Sequence, residues 1–374
     1  MESEPVLYMA DSPRLVPRAI HAGRALFAES LRRHRALAAL ILAYALACYA
    51  VGWISGGGAV VDIQLYAGEF GVMIGAFAAV VIAASVIRAL VAGRSAGPLL
   101  AAVRRDLAGV SVPTDRLVNF LAPALLGPLF FTSFGSFKRL IPYVAPFTWD
   151  ERLMRWDRWL HGGHDPWTLL QPLLGTPAVT AGFSAVYNTW FFVMFGTFIW
   201  QACSLKRPAL RQQFLLGFAL YWIVIGTVLA MLLSSAGPCY FGRVTGLADP
   251  FALLMAYLGA AAQEAPVWSV AMQNLLWQNY QSHGTMLGSG ISAMPSMHVA
   301  IAVLLACFGW GVNKWAGIAY TLFALIIMVG SVHLGWHYAI DGYAAALVGV
   351  ALWRATGWAM RRYGAAIADT RING

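Results

Sequence analysis

Two short stretches hold most of the residues whose types and spacing could do chemistry. One is Met294-Pro295-Ser296-Met297-His298; the other is His333-Leu334-Gly335-Trp336-His337-Tyr338-Ala339-Ile340-Asp341. Both lie at the edges of long apolar runs. Ionisable groups at membrane depth are costly, so a cluster of them points to function. His337 and Asp341 are four residues apart, which on a helix sets them on one face, a turn apart. A carboxylate bonded to one imidazole nitrogen fixes the tautomer and leaves the other nitrogen free to attack. Pro295 suits the first turn of a helix, where its missing N–H is no loss. A helix starting near Pro295 offers free amides and a dipole to a phosphate, with His298 beside it. An imidazole there can protonate a leaving oxygen. These parts suffice for phosphoryl transfer. His333 and His337 are also four apart, a spacing that suits a metal with Asp341 and His298 as further ligands. Gly335 between them argues for a turn instead, and no metal is assigned.

The elements that must position these residues are membrane helices. The 374 residues are 60% hydrophobic and only 11% charged, against roughly 25% charged in a soluble domain. Lipid tolerates only helices or closed barrels, and the unbroken apolar runs lack the alternation of a barrel. The fold expected is all-α, a polytopic bundle of about eight spans. A span needs ~20 apolar residues, and the candidates are about 36–54, 69–91, 117–134, 178–202, 212–233, 293–311, 315–332 and 339–357. Segment 250–262 is apolar but too short to cross.

The formal charge of +9 does not signal nucleic acid, because the basic residues sit in short loops where they set topology. Arg32, Arg33 and Arg35 precede the first span, and the first 35 residues read as a polar, basic segment rather than a cleavable leader. Arg94, Arg104, Arg105, Arg116, Lys206, Arg207, Arg211, Lys314, Arg361 and Arg362 fall on the same side. Both termini are therefore expected in the cytoplasm. The loop around Cys239 and both histidine segments then reach the outer face. Arg207-Pro208 falls opposite the histidines and reads as a topology signal, and the glycines at 56–58 as a flexible outer turn. Of the four cysteines only Cys239 falls in a polar loop, so a disulfide framework is not expected.

Two outer segments add candidates. Segment 135–177 carries Lys138, Arg139, Arg152, Arg155 and Arg158 with Trp149, Trp156, Trp159 and Trp167, which suits interfacial surface helices. Asp150, Glu151 and Asp157 are expected to pair with the later arginines, while Lys138 and Arg139, at the end of the third span, are candidate anion binders. Ser235-Ala236-Gly237-Pro238-Cys239-Tyr240-Phe241-Gly242-Arg243 ends the fifth span with a Gly-Pro turn. The fork of Arg243 suits phosphate oxygens. Tyr240 beside it is an aromatic-belt residue or a further substrate contact, and Cys239 reads as packing.

Pro295-Ser296-Met297-His298 followed by His337-x-x-x-Asp341 resembles the second and third motifs of the type 2 phosphatidic acid phosphatase superfamily. Gly237-Pro238-Cys239-Tyr240 and Lys138-Arg139-Leu140-Ile141-Pro142 are similar to its inositol phosphorylceramide synthase branch. The strong motifs cover about 60 residues, and a looser likeness, including Asp157 to Trp167, runs over about 120–350. The resemblance implies His337 as nucleophile, Asp341 as its orienter, His298 as acid on the leaving group, and Ser296 with neighbouring amides on phosphate. Three departures stand out. No outer lysine–arginine–proline motif is found, Met297 stands where the superfamily has Gly, and Ser331 stands where it has an arginine. His333 is the nearest polar substitute, and Arg243, Lys138 or Arg139 must supply the missing charge.

The expectation is a lipid phosphotransferase that moves a phospho-head group from a membrane phospholipid to a ceramide- or diacylglycerol-like alcohol through a phosphohistidine. It works at the outer leaflet of a bacterial inner membrane and calls for no cofactor. A lipid phosphate phosphatase shares the same half-reaction. A transporter with a histidine proton relay is the reading of another class; against it, the charges gather at one face rather than at the midplane. The chain divides into a cytoplasmic segment 1–35, two helices in 36–116, a catalytic core 117–360 and a tail 361–374.

Overall fold

The computed structural model describes residues 15–58 and 114–367, apart from 283, 285 and 287, with a few single positions between 71 and 90. Among the described residues every regular element is a helix, and we number them in chain order. They are α1 (Leu15–Arg33), α2 (Arg35–Ile54), α3 (Thr114–Val144), α4 (Asp150–Leu160), α5 (Pro166–Leu174), α6 (Pro177–Cys203) and α7 (Pro208–Leu232). After a single turn at Pro238–Tyr240 come α8 (Phe241–Thr245), α9 (Ala252–Glu264), α10 (Trp268–Gln281), α11 (Met297–Val312), α12 (Lys314–His333) and α13 (Ala339–Ile367).

Five of these, α2, α3, α6, α7 and α12, are long and apolar enough to cross a membrane. Apart from those single positions, the expected span 69–91 lies outside the described residues. The expected sixth span is α11, whose 16 residues give about 24 Å. The eighth expected span falls within α13, which carries Asp341, Arg354, Arg361 and Arg362. The chain is an all-helical, polytopic integral membrane bundle.

Local sequence explains where the helices begin. Pro166, Pro177 and Pro208 occupy first-turn positions, where a proline loses no hydrogen bond. Thr176 and Asn313 cap α6 and α12 by accepting from Val179 N–H (3.4 Å) and Ala316 N–H (2.9 Å). Small residues let the α11–α12 hairpin close tightly. A Cβ on Gly309 would lie 2.7 Å from the Ala316 carbonyl oxygen. Aromatic rings fill the interior, with Trp222 edge-on to Phe131, Phe134 and Trp190. A π-helical segment, Val224–Leu229, interrupts α7. There Gly226 leaves room for Met297 and Phe134, either of which a Cβ would meet at 2.9 Å.

Two expectations about the segment after the third span need correction. The helix does not stop near 134 but runs to Val144, with Pro123, Pro128 and Pro142 inside it. Membrane helices tolerate proline where neighbours re-satisfy the freed backbone. Lys138 and Arg139 therefore sit in its last turns, half-buried and buried, rather than beyond its end. Nor do Asp150 and Asp157 serve the arginines. Glu151 pairs with Arg155 and Asp165 with Arg158, while both aspartates turn inward.

Candidate active site

Three loops meet at one end of the bundle: 233–239 after α7, 291–296 before α11 and 334–338 between α12 and α13. Main-chain hydrogen bonds knit them together. Cys239 N–H donates to Gly335 O (3.0 Å), Ala293 N–H to Ser235 O (2.9 Å) and Ser296 N–H to Asp341 O (3.2 Å). The Ser235 hydroxyl accepts from Met294 N–H at 3.1 Å. Gly237 is required at this junction. Its φ is 98°, and a Cβ there would sit 2.7 Å from the Trp336 carbonyl oxygen.

His298 and His337 are brought together, their ring centroids 6.3 Å apart. His298 lies in the first turn of α11. Pro295, expected in that turn, instead precedes the cap, and Ser296 is the N-cap, its hydroxyl accepting from Val299 N–H at 3.4 Å. The His298 ring packs on Tyr187 and Trp190 of α6, each at 4.4 Å between centroids. Its carbonyl accepts from Trp190 Nε1–H at 3.0 Å.

His337 precedes α13, and Asp341 stands in that helix's first turn. The pair is thus made by a helix-entry loop rather than by a shared helical face. Asp341 Oδ2 lies 3.3 Å from His337 Nδ1 and accepts from Tyr338 N–H at 3.1 Å. Burial, with the Lys138 charge nearby, pushes the His337 imidazole down to about 3, so the ring is neutral at pH 7.

His333 ends α12, fully buried, with Nε2 2.9 Å from Thr180 Oγ1. The turn at 334–336, as expected from Gly335, separates it from His337, so the two do not share a helical face. Its Nδ1 has no hydrogen-bond partner among the described residues.

The basic candidates divide. Lys138 packs its backbone against Gly290, where a Cβ would fall 2.9 Å from its carbonyl. The charge on its ammonium opposes protonation of the His337 imidazole. Arg139 is buried beside it in α3. Arg243 is exposed and lies over the Trp277 ring at 5.1 Å. Tyr240 stacks on that same ring from within the fold, and its hydroxyl donates to Gln273 O at 2.8 Å. That proton is thereby committed to the scaffold.

Sequence reasoning missed four residues. Asp150 accepts from Ala236 N–H (2.9 Å), Gly237 N–H (2.8 Å) and the Tyr338 hydroxyl (2.9 Å), tying two of the loops together. Asp157 accepts from Ala339 N–H (2.9 Å) and Ile340 N–H (3.0 Å), at the start of α13. Unpaired amides at a helix start bind a carboxylate more strongly than a solvated arginine does. Burial pushes both carboxyls above their ordinary range, and these amides oppose the shift. The other two are Tyr187 and Trp190 against His298. One signal was available: 150, 153, 154 and 157 are the buried positions of α4, a helical stripe in which two aspartates hold interior places.

A family model described as the PAP2 superfamily matches residues 151–355, more than half of the chain. No curated protein and no solved structure matches it. With both histidine segments inside the matched region and joined in space, this integral membrane chain belongs to the PAP2 superfamily, whose members are phosphatases or phosphotransferases.

Proposed function

We propose that this protein moves a phospho-head group from a membrane phospholipid to a lipid alcohol, ceramide- or diacylglycerol-like, through a phosphohistidine. The observation that carries the reading is the 6.3 Å separation of the His298 and His337 rings, with Asp341 behind His337. A phosphorus atom fits between two such groups. With Nδ1 directed at Asp341, His337 presents Nε2 to phosphorus. The N–P bond forms as the P–O bond to diacylglycerol breaks, and His298 gives its proton to the departing oxygen. The acceptor hydroxyl then attacks the phosphohistidine and returns a proton to His298. The N–P bond breaks and His337 is regenerated.

Phosphoryl transfer needs mainly positioning and charge stabilisation. Lys138, whose charge acts on the His337 imidazole, is the first cation offered to the phosphate. The Ser296 hydroxyl accepts from Val299 N–H and keeps its own proton for a phosphate oxygen. Arg139, in the same helix turn as Lys138, and Arg243 on Trp277 are the further cations offered to a head group; Tyr240 serves as wall rather than donor. His333 lines the apolar side. The burial of His337 and Asp341 supports transfer over hydrolysis, since a phosphohistidine shielded from water survives until a lipid arrives. Basic residues at the opposite end of the bundle favour a site facing the periplasmic leaflet of a bacterial inner membrane.

Labelled phospholipid incubated with the purified protein, with and without ceramide or diacylglycerol, tests this. A new labelled lipid that depends on the added alcohol is expected. Release of water-soluble phosphate whatever the acceptor would make the protein a phosphatase. Flux of intact lipid without chemical change would remove enzymatic transfer altogether.

A further inference from the structure

The Tyr187 side chain combines three observations that packing alone does not explain. Its ring stacks on His298 at 4.4 Å with an interplanar angle of 23° and runs parallel to Trp336, within 6°, at 6.5 Å. It thus stands between the proposed acid and the loop that carries His337. The side chain is only 6% exposed. Its hydroxyl is buried without a hydrogen-bond partner among the described residues. Leaving a buried hydroxyl unbonded costs about 1–3 kcal/mol. Phenylalanine would give the same stack without that cost, and α6 uses it one helical turn away on either side, at Phe183 and Phe191.

The site also lacks a donor. Where the superfamily's third motif has an arginine, this chain has Ser331, whose hydroxyl donates to Met328 O at 2.7 Å and whose carbonyl accepts from Trp336 and His337 N–H. Lys138 contributes charge, but an ammonium is a point donor without a fixed fork. A phenol held rigidly by aromatic stacking is a preorganised donor in a low-dielectric site, where such groups are worth most.

We propose that Tyr187 is a catalytic residue whose hydroxyl donates a hydrogen bond to a non-bridging phosphoryl oxygen as charge develops there. Its proton stays on the phenol, so the bond changes at phosphorus are those already described. The inference rests on the phosphohistidine reading and adds a residue to it.

The test uses the full-length protein in lipid nanodiscs, with Tyr187→Phe and His337→Ala measured side by side. Tyr187→Phe should slow both turnover and the appearance of acid-labile phosphoenzyme by about 10²-fold, with KM for the lipid little changed. Inhibition by orthovanadate should weaken in parallel. Full-rate phosphoenzyme formation by Tyr187→Phe, with His337→Ala inactive, overturns the role of Tyr187 and leaves the phosphohistidine standing. Full turnover by His337→Ala overturns the phosphohistidine itself and the Tyr187 proposal with it. Should Tyr187→Phe also melt early, orthovanadate inhibition of the folded fraction decides, and an unchanged inhibition constant overturns the proposal.

Discussion

Two buried clusters sit at opposite ends of the bundle, each built around histidine, and they treat their polar atoms differently. At one end His34 Nδ1 lies 2.9 Å from Ser30 O, and its Nε2 accepts from Arg211 Nη2–H at 2.8 Å. The same guanidinium donates to the carbonyls of Gln201 (2.7 Å), Asn119 (2.9 Å) and Ala202 (3.2 Å). None of the buried polar atoms left without a partner among the described residues belongs to His34, Arg211, Asn119 or Ser30. At the other end Tyr187 Oη, His333 Nδ1, Trp336 Nε1 and Asp341 Oδ1 all lack one. A cluster that satisfies itself is architecture; one that keeps donors and acceptors open in its interior is suited to a guest. Both ends are built around buried histidine, and they differ in how completely the polar atoms around it are paired.

That contrast can be broken by mutation. The largest effect is expected for His337→Ala, which should abolish turnover, a loss of about 10⁴-fold or more, while the melting temperature stays near that of the unmodified protein. A large loss of stability instead would make the open end structural. Arg211→Met should do the reverse. It strips His34 and three carbonyls of their donor, at about 1–3 kcal/mol for each group left buried and unpaired. Denaturation in detergent should show the loss, with turnover per folded molecule unchanged.

Asp157→Ala sharpens the comparison, because it acts on the open end through the backbone. Removing a helix cap costs about 0.5–2 kcal/mol, and here α13 loses the acceptor for Ala339 and Ile340 N–H. Thermal stability and kcat should both fall, and restoring the carboxylate with Asp157→Glu should recover part of each. A separate effect, read at the closed end alone, is in pH. Burial, reinforced by the Arg211 charge, lowers His34 to about 4. The unfolded chain takes up this proton near pH 6.5, while the folded one does not until about pH 4. The stability is therefore complete above 6.5 and lost as pH falls toward 4, at about 1.4 kcal/mol per unit. A pH series of melting curves should show that slope, and His34→Gln should flatten it.

How much of this could be read from the chain depended on whether the partner was also in the sequence. The apolar runs mark helices because lipid enforces their length, and His298, His337 and Asp341 stand out because charged groups there are rare. Asp150 and Asp157 did not stand out, because apart from the Tyr338 hydroxyl on Asp150 the partners described above are backbone amides, which have no letter. An aspartate on an amphipathic helix looks the same whether it faces water or a helix start. Tyr187 was hidden for a related reason. A tyrosine within an aromatic membrane helix reads as belt until its hydroxyl is seen to be buried and unmet. The length of α3 was missed because Lys138 and Arg139 suggest a helix end, whereas here they turn into the bundle.

Asp157 has one more effect. By occupying the amides at the head of α13, it places a negative charge where an anion would otherwise dock. A substrate phosphate approaching from that side meets repulsion, while Ser296, at the head of α11, presents a neutral hydroxyl. Of these two helix starts the one at α13 is thus already occupied, which leaves the head of α11 for the phosphate of the proposed substrate.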